Sequence, residues 1–180
     1  CYANKMTNTP GIRHQNAVKA VVTSTLFPNE IMRVGTNGEP GKSWKHTALQ
    51  IKAVIKRSNA RIEKEIAKGK RVDDGKRITP EGNIFFISKM LNIDDWDASV
   101  IKNVEVSMDP LYPDHMRQTM SNVMRIKTQY PDTNFVLRIR SIASKDPAMM
   151  AVQEDAVEFA NALGLPVLET KLRFNKGISE

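Results

Sequence analysis

"NFVLRIRSIASKDPAMMAVQEDAVEFANALGLPVLETKLRF", residues 134–174, decides the fold. Its start, 134–143, is rich in branched and aromatic residues and reads as a strand. Asp146-Pro147 then opens a helix, because Asp is a good N-cap and Pro suits the first helical position. The helix runs to Leu163, and Gly164 closes it. "PVLETKLRF", 166–174, is a second strand. A strand, one helix and a strand in direct succession make a crossover unit, which joins parallel strands.

The alternation extends toward the amino terminus. Residues 114–129 read as a helix, with Met116, Met120, Val123, Met124 and Lys127 at helical spacing and the methionines as core filler. "VEVSMDP", 104–110, is a strand ended by Pro110, and "DDWDASVIKN", 94–103, a short helix or turn. "IFFISKM", 84–90, is a buried strand, and 69–83 a polar loop. Residues 45–68 form a long amphipathic helix with Leu49, Ile51, Val54, Ile55, Ile62 and Ile66 as its buried stripe and a break near Ser58-Asn59. "EIMRVG", 30–35, is a short strand, 13–26 a helix stopped by Pro28-Asn29, and 1–10 a loop. Five strands thus alternate with helices in a single α/β domain over 1–180, with a parallel sheet and right-handed crossovers. Two closures fit: an open doubly wound sheet, or an arc of an α/β barrel. In both, function gathers at the carboxyl ends of the strands.

Composition narrows the setting. The 180 residues are 41% hydrophobic and 26% charged, ordinary for a globular domain. No apolar run is long enough to span a bilayer, so no membrane partner is expected. The start lacks the apolar region of a signal peptide, and one cysteine makes no internal disulfide, so a cytoplasmic setting is expected. The net charge of +7 favours anionic partners. Much of it lies in Lys52–Lys76, which reads as a solvated helix face with interspersed Glu or as a polyanion-binding surface. Aromatic residues, at 6%, are too sparse for an obvious single-strand stacking platform.

The strand ends carry polar residues. They are Asn37, Gly38 and Glu39 after the first strand, Ser88 and Lys89 after the second, and Ser107 and Asp109 on the third. Arg138 and Arg140 share one face of the fourth strand, and Glu169, Lys171 and Arg173 one face of the fifth. A parallel strand covered on both faces is nearly continuous in apolar residues, which two arginines violate. Either they lie on a solvent face or an edge, or they point into a polar cavity and grip a carboxylate or phosphate. No Gly-rich phosphate loop is present. His14, His46 and His115 are scattered, with no metal spacing, and His115 reads as a surface residue.

Residue 1 is Cys rather than Met, which fits a self-processed hydrolase, a lipoprotein or a fragment of a longer chain. "CYA" at Cys1-Tyr2-Ala3, paired with Asn37-Gly38-Glu39-Pro40, resembles the radical S-adenosylmethionine superfamily, in its photoproduct-lyase-like and phage-encoded branches. There the third cysteine of a Cys-x-x-x-Cys-x-x-Cys loop is followed by Tyr-Ala, and the next strand ends in Gly-Gly-Glu-Pro. Here Asn37 replaces the first Gly.

The resemblance implies a 4Fe-4S cluster, with Cys1 as one ligand, and S-adenosylmethionine cleaved to a 5′-deoxyadenosyl radical that abstracts hydrogen from a substrate. It implies that Asn37, Gly38, Glu39 and Pro40 hold the methionine amino group. It puts Ser107, Asp109, Arg138 and Arg140 at the ribose and carboxylate, and Lys89, Lys171 and Arg173 at the substrate end. An electron donor such as flavodoxin or ferredoxin would be a partner. The basic balance suits a nucleic-acid or phosphorylated substrate. Because the first two cluster cysteines are absent, the implied fold is a partial (β/α)6 barrel arc with its first strand missing. Such an arc exposes a sheet edge, so the isolated chain is expected to be poorly soluble. The competing reading is a non-catalytic basic α/β domain that binds nucleic acid or nucleotides. A hydrolase with Cys1 as nucleophile fits less well, since such folds are mainly antiparallel.

Overall fold

The computed structural model describes residues 24–35, 40–141 and 146–171. Five strands are present: β1 (Met32–Val34), β2 (Ile84–Ser88), β3 (Asn103–Met108), β4 (Asn134–Ser141) and β5 (Val167–Lys171). The helices are α1 (Trp44–Ala67), the short α2 (Pro80–Asn83), α3 (Pro113–Gln129) and α4 (Pro147–Ala162), with a 3-10 turn at Pro40–Lys42. The strands form one parallel sheet in the order β1-β2-β3-β4-β5. The mixed α/β class and parallel pairing expected from the alternation are therefore present. Among the described strands the order never reverses.

The described residues fall into two compact units. The first comprises those up to Phe86 together with Asp94–Asn103; the second comprises Ile87–Ile93 and those from Val104 onward.

In the first unit, α1 runs unbroken through Ser58-Asn59. Ser58 donates its hydroxyl to the Val54 carbonyl at 2.8 Å, and Asn59 exchanges two hydrogen bonds with the Ile78 backbone. Both side chains satisfy partners without opening the helix, so the expected break does not occur. Ser43 caps the helix, its hydroxyl oxygen accepting from the His46 amide. The buried stripe is Trp44, Ala48, Ile51, Val54, Ser58 and Ile62. Leu49, expected inside, is 58% exposed, because it sits one residue and about 100° beyond Ala48. Trp44 packs edge-on against Phe86 and Trp96.

The polar loop 69–83 ends in α2, whose cap Thr79 accepts from the Gly82 amide. Two buried asparagines order this region. Asn83 donates to the Pro28 and Glu30 carbonyls, and Asn103 to those of Pro80, Glu81 and Ile84. The 94–103 segment contains turns and no helix. Residues 24–27 carry no regular structure, and the rest of the expected 13–26 helix lies outside the described residues.

In the second unit, α3 and α4 pack together and α4 packs on β4. Val104, Val106 and Met108 on β3 and Phe135, Leu137 and Ile139 on β4 are buried. The residues between them, Glu105, Ser107, Val136 and Arg138, are half-buried, and Arg140 is exposed. One face of these strands is therefore packed and the other is partly open, which is how β4 accommodates two arginines. On α3, Met116 and Val123 are core, but Met124 is 42% exposed and Ile126 closes the face instead.

Candidate functional site at the strand ends

The half-buried face of β3 and β4 carries an ion-paired ladder. Arg138 donates from Nε and Nη2 to the two Glu105 carboxylate oxygens, and from Nη1 to the Thr170 hydroxyl at 3.1 Å. The Glu105 carboxylate holds the guanidinium above its ordinary pKa, against the opposing effect of burial. One step along β4, Arg140 Nη1 donates to Asp109 Oδ2 at 3.1 Å. The other Asp109 oxygen accepts from the Leu111 amide, which fixes the turn into α3. Thr170 pairs with Arg140 in register, and Leu168 with Arg138.

Four of the expected site residues thus share this region: Ser107, Asp109, Arg138 and Arg140. The two acids alter what the arginines can do. Arg138 is gripped at three points, whereas Arg140 is 45% exposed and held by one carboxylate oxygen. Glu105 and Thr170 escaped notice in the sequence. Glu105 was legible, since Glu105, Ser107 and Asp109 alternate with Val104, Val106 and Met108. Thr170 required the β4–β5 register.

Beside the ladder, a shallow cleft is lined by Lys89, Leu91, Ser107, Met108, Asp109, Tyr112, His115, Met116 and Thr119. The strand-end residues Lys89, Ser107 and Asp109 meet here, as expected of the carboxyl edge of a parallel sheet. The loop after β2 is locked from α3. Thr119 Oγ1 donates to the Lys89 carbonyl at 2.6 Å, Gln118 Nε2 to that of Leu91 and Asn122 Nδ2 to that of Met90, each at 2.7 Å. Met90 is in the left-handed region, at φ 53°, and its amide donates to the Ser88 hydroxyl. This break ends β2 at Ser88, two residues short of the expected strand. His115 is exposed, as expected, yet it stacks on Tyr112 at 5.6 Å and lines the cleft.

Of the remaining expected residues, Pro40 and Lys171 are described. Pro40 is buried in the 3-10 turn, where its carbonyl accepts from the Thr47 hydroxyl. Cys1, Asn37, Gly38, Glu39 and Arg173 lie outside the described residues. The Lys171 backbone pairs in register with that of Ser141. Among the described residues, no group of three or more His, Cys, Asp or Glu side chains is placed to hold a metal.

Two cations of the basic run, and Arg77 just beyond it, are closely ion-paired. Lys52 pairs with Asp97 at 2.7 Å, Arg61 with Glu65 at 2.9 Å, and Arg77 with Glu63 and Asp73 at 2.7 and 3.0 Å. No described helix is long and apolar enough to cross a membrane. Compared with known proteins, the chain matches no family model, no curated protein and no solved structure.

Proposed function

We propose that the chain is the strand-two to strand-six arc of a radical S-adenosylmethionine enzyme, its β1 to β5 being those strands. The observation that carries this reading is the parallel sheet whose order never reverses. A right-handed crossover between successive neighbours keeps its helix on one side, as in a barrel wall, whereas a doubly wound sheet reverses its order at a switch point; helices join β1 to β2, β3 to β4 and β4 to β5, and turns join β2 to β3. The polar ladder on the half-open strand face adds support, because a barrel wall turns that face toward its ligands. Asn37-Gly38-Glu39-Pro40 following β1 fits the same assignment.

In this reading Glu39 holds the amino group of S-adenosylmethionine. Arg140, tethered by a single carboxylate oxygen, holds an anionic group of the ligand, while Arg138 fixes the wall. The chain does not by itself fit the iron–sulfur cluster. Three thiolates are needed, and its sequence has one cysteine.

The test is the coding DNA ahead of the Cys1 codon. The reading expects Cys-x-x-x-Cys-x-x immediately upstream in frame. The product of that frame, reconstituted anaerobically with iron and sulfide, should then show the broad visible absorbance of a thiolate-bound cluster. An in-frame stop, or an upstream segment without those cysteines, would contradict it. The ion pairs along Lys52–Lys76 give the basic binding domain less support than its charge count alone.

A further inference from the structure

The far end of the basic run differs from the rest of it. From Lys68 to Lys76 stand four cations, Lys68, Lys70, Arg71 and Lys76, and two acids, Asp73 and Asp74. Asp73 is taken by Arg77, 3.0 Å away. Asp74 is left to the four, and it stands 3.7 Å from both Arg71 Nη2 and the Lys76 ammonium, beyond hydrogen-bond reach. The Arg71 side chain is only 23% exposed, yet its guanidinium makes no hydrogen bond among the described residues. Lys68 and Lys70 are exposed and have no ion-pair partner among those residues.

Arg71, Asp74 and Lys76 line a cavity of about 430 Å³ with Pro28 and Asn29, all within the first unit. Both of its walls are fixed by hydrogen bonds. Asp73 and Asp74 accept from the Gly75 and Lys76 amides at 3.0 and 3.1 Å, and Arg77 donates to the Lys76 carbonyl. On the other side, Asn83 donates to the Pro28 and Glu30 carbonyls.

We propose that this cavity grips the phosphodiester backbone of a nucleic-acid strand, with one phosphate at Arg71 and Lys76 and its neighbours along Lys68 and Lys70. The planar fork of a guanidinium suits phosphate oxygens, and an ammonium adds charge. Four cations exceed what one phosphate needs, which favours a strand over a single phosphorylated molecule. No aromatic residue lines the cavity, so bases are not stacked there and the contact carries no sequence preference. Val72 is the only apolar side chain from Lys68 to Arg77, so this loop offers a bilayer little to bury. The site shares no residue with the strand-end site and needs no cofactor.

The experiment is fluorescence anisotropy of a dye-labelled single-stranded dodecanucleotide, titrated with the full reading-frame product free of iron and S-adenosylmethionine, at about 50 and about 200 mM salt. Arg71→Ala should weaken binding about fivefold and Lys76→Ala about threefold. The double variant should lower the salt slope by about 1.4, the share of two phosphate contacts on a single strand. Asp74→Asn keeps an acceptor for the Lys76 amide but removes the opposing charge, so it should tighten binding about threefold. Lys45→Ala, at the opposite end of α1 and roughly 35 Å along that helix from Lys68, should bind like the parent. Melting temperatures of all variants should stay near that of the parent. Arg71→Ala binding like the parent, or Lys45→Ala losing as much as Arg71→Ala, would overturn the proposal. So would displacement of the strand by inorganic phosphate at matched ionic strength, which identifies a free phosphorylated ligand, or tighter capture by anionic phospholipid vesicles than by the strand. Because the protein is free of iron and S-adenosylmethionine, failure here is separate from failure of the radical-enzyme reading.

Discussion

Arg138 is held at three points on a half-buried strand face, and Glu105, only 15% exposed, supplies two of them. A carboxylate and a guanidinium so paired depend on each other, because removing one leaves the other poorly solvated. Glu105→Gln should cost about 1–3 kcal/mol, read as a shift in denaturation midpoint at constant slope. The double variant Glu105→Gln/Arg138→Met should be at least as stable as the single one, since it strands no charge. A single variant as stable as the parent would show the pair to be energetically idle. Asp97 offers a pH test. Burial pushes its carboxyl up, but hydrogen bonds from Lys52 and Ser99 outweigh this and leave it below the ordinary value. A folded-state pKa below the unfolded one adds stability above the unfolded value, about 3.9, that is lost as pH falls through the folded value. Asp97→Asn should therefore flatten the acid limb of the stability profile, by less than about 1 kcal/mol, because Lys52 is half exposed. An unchanged acid limb would contradict the assignment. At this scale the sequence exposed the arginines and the polar strand ends. It hid Arg138's immobilisation, because Thr170 joins only through the β4–β5 pairing.

The elements show where sequence periodicity suffices. The cap at Asp146 and the Pro at the start of α4 were readable, because they act within one turn. Leu49 and Met124 were misassigned because adjacent helical residues differ by about 100°, so an apolar pair across a stripe's edge is ambiguous until the packing is known. The loop after β2 was not readable at all. The loop around its left-handed Met90 is secured by Gln118, Thr119 and Asn122, which lie on α3, beyond β3 in the chain. Asn122→Ala should leave the buried Met90 carbonyl without this donor, cost about 1–3 kcal/mol and raise amide exchange selectively around 88–91. Exchange that rises uniformly, or not at all, would mean that α3 does not lock the loop.

For the whole molecule, strand–helix alternation was enough to anticipate a parallel α/β sheet, and the strand order is the observation on which the barrel wall is proposed. Sequence spacing cannot separate a doubly wound sheet from a barrel wall, because both consist of the same crossover units. An order that never reverses among the described strands favours the wall. Under that account the isolated 180-residue chain exposes a sheet edge, and it should elute as aggregates. A monodisperse chain that melts cooperatively would contradict this. The most direct test of the central claim is 5′-deoxyadenosine production by the full reading-frame product, reconstituted and reduced anaerobically with S-adenosylmethionine. The account predicts 5′-deoxyadenosine from the parent, none from Cys1→Ala and sharply less from Glu39→Ala at limiting S-adenosylmethionine. A protein that folds and takes up iron yet yields no 5′-deoxyadenosine, or a Cys1→Ala variant that yields as much as the parent, would contradict it.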